Sequence, residues 1–142
     1  MKTLFFIFLF IPFATQSGTP PTENNLHVYR FLALIEEDAT VIANMFKIPK
    51  ELIIAQSCQE TGFGTSFICT HYCNYFGIKN GFYDSRFECF LRYAEILVSS
   101  KCYRNLQPKS LEEWLDALTC CGYASDVNYT QSIKLIIQKY IN

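Results

Sequence analysis

An apolar helical run that ends in a glutamate and is cut off at once by glycines constrains this chain more than any other feature. The segment is Ala55-Gln56-Ser57-Cys58-Gln59-Glu60-Thr61-Gly62-Phe63-Gly64-Thr65-Ser66. Leu52, Ile53 and Ala55 make the body of the run apolar enough for a core. Glycine adopts the left-handed conformation that closes a helix, so Gly62 and Gly64 end it there. One carboxyl, that of Glu60, is thereby set at the C-terminal end of a buried helix, where the helix dipole disfavours negative charge. A carboxyl held against an apolar wall has a raised pKa and keeps its proton near neutrality. Such a group suits acid catalysis of glycosidic bond cleavage. The plainer alternative is a solvated residue at a helix end, and the local pattern does not decide between them.

Helical periodicity recurs along the chain. Val28, Phe31, Leu32, Ile35, Ala39, Ile42 and Phe46 fall on one face. Pro49 is a good first-turn residue for the glutamate-bearing helix. Thr65 to Ser85 reads as a loop-rich section. Ser85-Arg86-Phe87-Glu88 is a capping-box pattern opening a third helix with Phe87, Leu91, Ala94, Ile96 and Leu97 apolar. Ser110-Leu111-Glu112-Glu113 opens a fourth, with Trp114, Leu115 and Leu118, and Gly122 stops it. A last helix runs from about Val127 to Tyr140, with Tyr129, Ile133, Ile136, Ile137 and Tyr140 on one stripe and Asp126 as its expected N-cap. No alternating strand pattern competes, so the expected class is all-α, about five helices with a loop-rich middle.

Met1-Lys2, the apolar run Leu4 to Ala14 and the small residues after it read as a secretory signal peptide over 1–17, followed by a Pro-containing linker over 18–25. The apolar run is short for a spanning anchor, and no cysteine follows it directly to carry a lipid. An exported chain, periplasmic or extracellular, is expected to form disulfides, and seven cysteines leave at least one thiol unpaired within a monomer. Cys69-Thr70-His71-Tyr72-Cys73 invites a zinc reading, but the chain has two histidines and no Cys-x2-Cys pair, so no metal is expected. A net charge of −1 provides no basic surface for nucleic acid. The 9 Tyr and 13 Phe suit stacking on sugar rings instead. Asn128-Tyr129-Thr130 matches an N-glycosylation acceptor, which matters only in a eukaryotic secretory route.

Three segments in order, AQSCQETGFGTS, NYFGIK and GYASDVNY, resemble the glucosaminidase domain of bacterial and phage cell-wall hydrolases, glycoside hydrolase family 73. Tyr83-Asp84-Ser85-Arg86-Phe87-Glu88 is similar to that family's Tyr-x-Ser-x-x-Glu helix start. The resemblance covers about Ile35 to Ile141, so residues 26–142 are read as one domain. It implies a lysozyme-like fold and cleavage of a β-1,4 bond in peptidoglycan without a cofactor, the domain being a monomer. It also implies Glu60 as general acid and Tyr123 as a tyrosine near the cleaved bond. Tyr75, Phe76 and Gly77 map onto the groove wall. Relatives often carry a β-hairpin with a second carboxylate between the Phe-Gly-Ile-Lys segment and the Tyr-x-Ser-x-x-Glu helix. Here only Asn80-Gly81-Phe82 separates Lys79 from Tyr83, so that lobe is expected to be reduced or absent. Asp84 and Glu88 are the nearest acids; Glu88 reads as the capping partner of Ser85, and Asp84 is left as the candidate to approach the groove. Two other readings compete: a glycan-binding module that keeps the fold without catalysis, and a phage lysis enzyme.

Overall fold

The computed structural model describes residues 25–107 and 109–142. The expected signal peptide, and all of the linker but Asn25, lie outside the described residues. Six α-helices are present among them, with no strand. They are α1 Leu26–Phe46, α2 Lys50–Thr61, α3 Phe67–Tyr72, α4 Arg86–Ser99, α5 Leu111–Cys120 and α6 Tyr129–Ile136. A 3-10 turn, Arg104–Leu106, precedes α5, and a π-helical turn, Ile137–Ile141, extends α6.

The central element is α2. Every residue from Leu52 to Cys58 is buried, together with Thr61, so this helix has no solvent stripe. A helix covered on all sides belongs at the middle of a core. α1, α5 and α6 pack around it, and α4 packs on α1. α1 contributes Val28, Phe31, Ile35, Ala39 and Ile42, the face expected from its periodicity. Ile35, Ile42, Leu52 and Ile53 are wholly buried; each such side chain contributes about 1.5–3 kcal/mol by leaving water. Gly62 closes α2 in the left-handed conformation, its N–H donating to the Cys58 carbonyl.

Three features differ from the sequence expectation. The middle section contains α3, whose Ser66 cap accepts from the Cys69 N–H at 3.3 Å. With six residues and one buried side chain, Cys69, it is too short to display a period. In α4, Ala94 and Leu97 are buried as expected, but Phe87 and Ile96 are exposed, and Cys89, Phe90 and Tyr93 face the core in their place. Tertiary packing turns this face: Phe76 meets Phe90 edge-on at 4.8 Å and stacks on Tyr93 at 3.8 Å. Asp126 is not the N-cap of α6. That position is Asn128, and Asp126 accepts the Asn128 N–H at 2.9 Å in a local turn.

The other capping expectations have direct counterparts. Ser110 and Glu113 form a complete capping box on α5. Ser85 accepts from the Glu88 N–H, while the Glu88 carboxylate reaches one residue further back, to the Asp84 N–H at 2.8 Å. One disulfide, Cys102–Cys121, joins the end of α5 to the chain ahead of the 3-10 turn. Cys58, Cys69, Cys73, Cys89 and Cys120 are free thiols. Burial pushes the Cys58 thiol up to about 12, which makes it inert at neutral pH. Among the described residues, no group of three His, Cys, Asp or Glu converges as metal ligands, and no helix is long and apolar enough to cross a membrane.

Candidate active site

Glu60 sits in the last turn of α2, half-buried, with its two carboxyl oxygens in different surroundings. Oε1 accepts the Tyr129 hydroxyl at 2.7 Å. Behind it runs a polar line through the core. Tyr93 donates its hydroxyl to Gln56 Oε1, and Gln56 Nε2 donates to the Tyr129 Oη at 3.2 Å. Gln56 is 0%, Tyr93 3% and Tyr129 7% exposed, so this line is shut off from water and its hydrogen bonds are costly to break. α2 supplies both Gln56 and Glu60, one turn apart on the same face. α4 supplies Tyr93 and α6 supplies Tyr129.

Oε2 faces Gly77. A Cβ placed on Gly77 would lie 3.0 Å from it, and Gly77 has φ +62°, a conformation L side chains rarely adopt. Both facts favour glycine there. The loop that carries Gly77 is organised by Asn74, which is 3% exposed. Its Nδ2 donates to the Ile78 and Gly81 carbonyls at 2.8 and 3.1 Å, and its Oδ1 accepts the Ile78 N–H at 3.0 Å.

Burial pushes the Glu60 pKa up from the usual carboxylate range, and the Tyr129 hydrogen bond pulls back against it. Desolvation dominates, so the carboxyl is poised to hold a proton at higher pH than a surface glutamate does. Tyr123 is half-buried beside it. Its ring stacks on Tyr129 at 5.3 Å and meets Tyr103 edge-on at 6.4 Å. Burial and then the nearby Glu60 charge raise its pKa, so its hydroxyl stays protonated. Burial likewise holds Tyr129 protonated.

Of the residues singled out by sequence, the structure brings Glu60, Gly77 and Tyr123 together. Phe76 is a correction: it is 4% exposed and locked between Phe90 and Tyr93, so it supports the loop from below instead of walling an open groove. Tyr75 stacks on Phe31 at 6.1 Å, and its hydroxyl lies by the Cys69 thiol. Asp84 is exposed ahead of α4. Sequence reasoning left out Gln56 as a site residue and treated Tyr129 as packing. Gln56 carried a usable signal, its four-residue spacing from Glu60. Tyr129 carried only its place at the end of the GYASDVNY segment, because 69 residues separate it from the carboxyl it touches.

The two neighbours of the carboxyl each line a hollow. One of about 280 Å³ is bounded by Tyr72, Asn74, Gly77 and Phe82. Another of about 280 Å³ is bounded by Leu118, Gly122, Asp126 and Tyr129. A larger hollow, about 440 Å³, lies across the Ile78–Tyr83 loop against Leu91, Arg92 and Glu95. Glu60 lines none of these three hollows, so the candidate site is placed by the neighbours of its carboxyl and not by a cavity.

The fold is shared with solved glycoside hydrolases. The glycoside hydrolase domain of FlgJ from Salmonella typhimurium superposes with a TM-score of 0.70 at 24% identity, covering 79% of this chain and 87% of that one. The catalytic domain of the autolysin Auto from Listeria monocytogenes also gives 0.70, at 18% identity and 89% of both chains. A chain of a type VI secretion system effector–immunity complex from Pseudomonas protegens gives 0.62 at 18% identity, over 81% of this chain and 94% of that one. No curated protein matches the sequence. The family described as mannosyl-glycoprotein endo-β-N-acetylglucosaminidase matches residues 36–142, nearly the whole described domain, and this chain therefore belongs to that glucosaminidase family of glycoside hydrolases.

Proposed function

We propose that this chain is an exported peptidoglycan hydrolase that cuts a β-1,4 glycosidic bond in the manner of an endo-β-N-acetylglucosaminidase, with Glu60 as general acid. The observation that carries this reading is the asymmetry of the Glu60 carboxyl. Oε1 is occupied by the Tyr129 hydroxyl, while Oε2 is kept clear by Gly77. The acid proton belongs on Oε2, and it passes to the oxygen of the departing sugar as the bond breaks. A glycan strand spanning the hollows beside Gly77 and Tyr129 would cross this oxygen. Tyr123, held protonated beside the carboxyl, offers a hydroxyl to the reacting sugar.

Asp84 and Glu88 are both exposed, and the Glu88 carboxylate is committed to the start of α4. We therefore take the nucleophile to be the substrate's own N-acetyl oxygen, an established exception to the two-carboxylate scheme.

The test is zymography on purified cell wall, wild type beside Glu60→Gln. Clearing by the wild type and a loss of at least ~100-fold in the variant are expected, the usual low end for a general acid. An active Glu60→Gln enzyme would remove the assignment. A wild type that binds cell wall without clearing it would mark a glycan-binding module.

A further inference from the structure

The hollow beside Gly77 is lined by two exposed aromatic rings, Phe82 and Tyr72, and Phe67 adjoins Tyr72 outside it. Phe82 is 68% exposed, Phe67 61% and Tyr72 36%. Single exposed apolar residues are ordinary, but contiguous apolar patches mark binding surfaces. These residues are contiguous. Phe82 meets Tyr72 edge-on at 4.7 Å, Tyr72 meets Phe67 at 5.6 Å, and Phe67 stacks on the His71 ring at 4.1 Å.

The patch is also held in place. Gly81, before Phe82, is bound through its carbonyl to Asn74, and its N–H donates to the Ile78 carbonyl at 2.9 Å. Tyr83, after Phe82, donates its N–H to the Tyr72 carbonyl at 3.1 Å. Both chain neighbours of Phe82 are thus pinned, so the backbone that presents its ring has little freedom left to lose on binding. Phe82 and Tyr72 line the same hollow as Gly77, and Gly77 touches the Glu60 carboxyl. Lys79 and Asn80 give that hollow a polar rim. An apolar face with a few polar groups around it is how a small-ligand subsite is built. The apolar C–H face of a pyranose fits such a ring, and its equatorial hydroxyl and amide groups fit the rim.

We propose that Tyr72 and Phe82 form a sugar-stacking subsite that takes an N-acetylhexosamine ring of the same glycan strand whose bond lies at Glu60. This rests on the glycan reading of the Glu60 groove. Phe82 supplies the flat face and Tyr72 fixes its angle. The subsite sets how long a glycan the protein prefers, since a ring on the shelf adds affinity that a shorter ligand forgoes.

The experiment measures binding of a soluble β-1,4 tetramer of N-acetylglucosamine by titration calorimetry, in a Glu60→Gln parent that does not consume it. Adding Phe82→Ala should weaken binding about ten-fold, and Phe82→Trp should hold it within about two-fold, as expected for one aromatic stacking contact. Adding Tyr72→Ala should weaken binding by a smaller factor. Melting curves of each variant report whether the fold is intact. Equal tetramer affinity with and without Phe82→Ala overturns the subsite. So does equal weakening by Ala and Trp in folded protein, which indicates a shape role. A Phe82→Ala change that moves the protein from dimer to monomer in sedimentation also overturns it, in favour of a contact between copies. A parent that fails to bind the tetramer while the wild type clears cell wall removes the subsite and leaves the catalytic reading standing. Tetramer binding that depends on Phe82 in a wild type unable to clear cell wall does the reverse.

Discussion

Glu60 is held between two walls built on opposite principles. On one side, α2, α4 and α6 contribute Gln56, Tyr93 and Tyr129, whose hydrogen-bonded pairs are 37 and 73 positions apart and meet inside the core. On the other side, the loop from Asn74 to Tyr83 closes on itself through bonds spanning four to seven residues. The helical wall is buried and governs how tightly the carboxyl holds its proton. The loop is solvated and governs which atoms can approach Oε2 and which surface a ligand meets next to it. Proton affinity and access are thus assigned to separate pieces of chain, and a change in one leaves the other largely in place.

The sharpest way to break this division is Gly77→Ala. The new methyl would press on Oε2, and the residue would have to hold φ +62°. A left-handed non-glycine residue costs about 1–2 kcal/mol, and the carboxyl has to give way to the methyl, where a full misplacement of about 1 Å at a catalytic group costs about 100-fold in rate. We expect a loss of about 20- to 50-fold in kcat on cell wall, below that limit, with a drop in melting temperature of a few degrees. Activity close to wild type would show that the loop does not control Oε2.

Tyr129→Phe acts on the other wall and should cost less, about ten-fold in kcat/KM, since one buried hydrogen bond is removed and Gln56 is left without its acceptor. Its signature is in the pH profile. Tyr129 lowers the proton affinity of Glu60 by favouring the carboxylate. Without it the Glu60 pKa rises further. The general acid must be protonated to act, so activity is lost as pH rises through that pKa. The alkaline limb of the profile should therefore move to higher pH in Tyr129→Phe. A limb that stays put, or moves to lower pH, would detach Tyr129 from the acid.

The smallest expected effect is at Asp84. It is exposed, and its N–H, not its carboxylate, holds Glu88. Asp84→Asn should retain activity within about two-fold, the scale of a surface change remote from the reacting atoms. If it is as inactive as Glu60→Gln, a two-carboxylate mechanism operates and the N-acetyl nucleophile is wrong.

How much was legible in the sequence differed between the two walls for a physical reason. The end of α2 could be read because Gly62 and the apolar run act within a few residues, and Ser110 with Glu113 marks α5 in the same local way. The inner face of α4 could be read only at Ala94 and Leu97. Phe87 and Leu91 complete a helical stripe with Ala94 as well as Phe90 and Tyr93 do, and Phe76 arriving from the loop packs on the latter pair. The same contact removed Phe76 from the groove, although its place in the Asn-Tyr-Phe-Gly-Ile-Lys segment suggested a wall residue.

By itself the sequence determined an all-helical fold, a glutamate at the glycine-stopped end of a helix with an apolar middle, and a connection from Lys79 to Tyr83 too short for the relatives' hairpin. These follow from periodicity, glycine stops and chain length, all of which operate between near neighbours. Tertiary structure alone decided which oxygen of Glu60 faces Gly77, that Tyr129 is the partner of the other, that Gln56 is a polar link and not filler, and that Phe82 stands exposed at the hollow Gly77 lines. Those outcomes depend on groups distant in the chain sharing one desolvated space, where a single hydrogen bond or methyl group changes the chemistry.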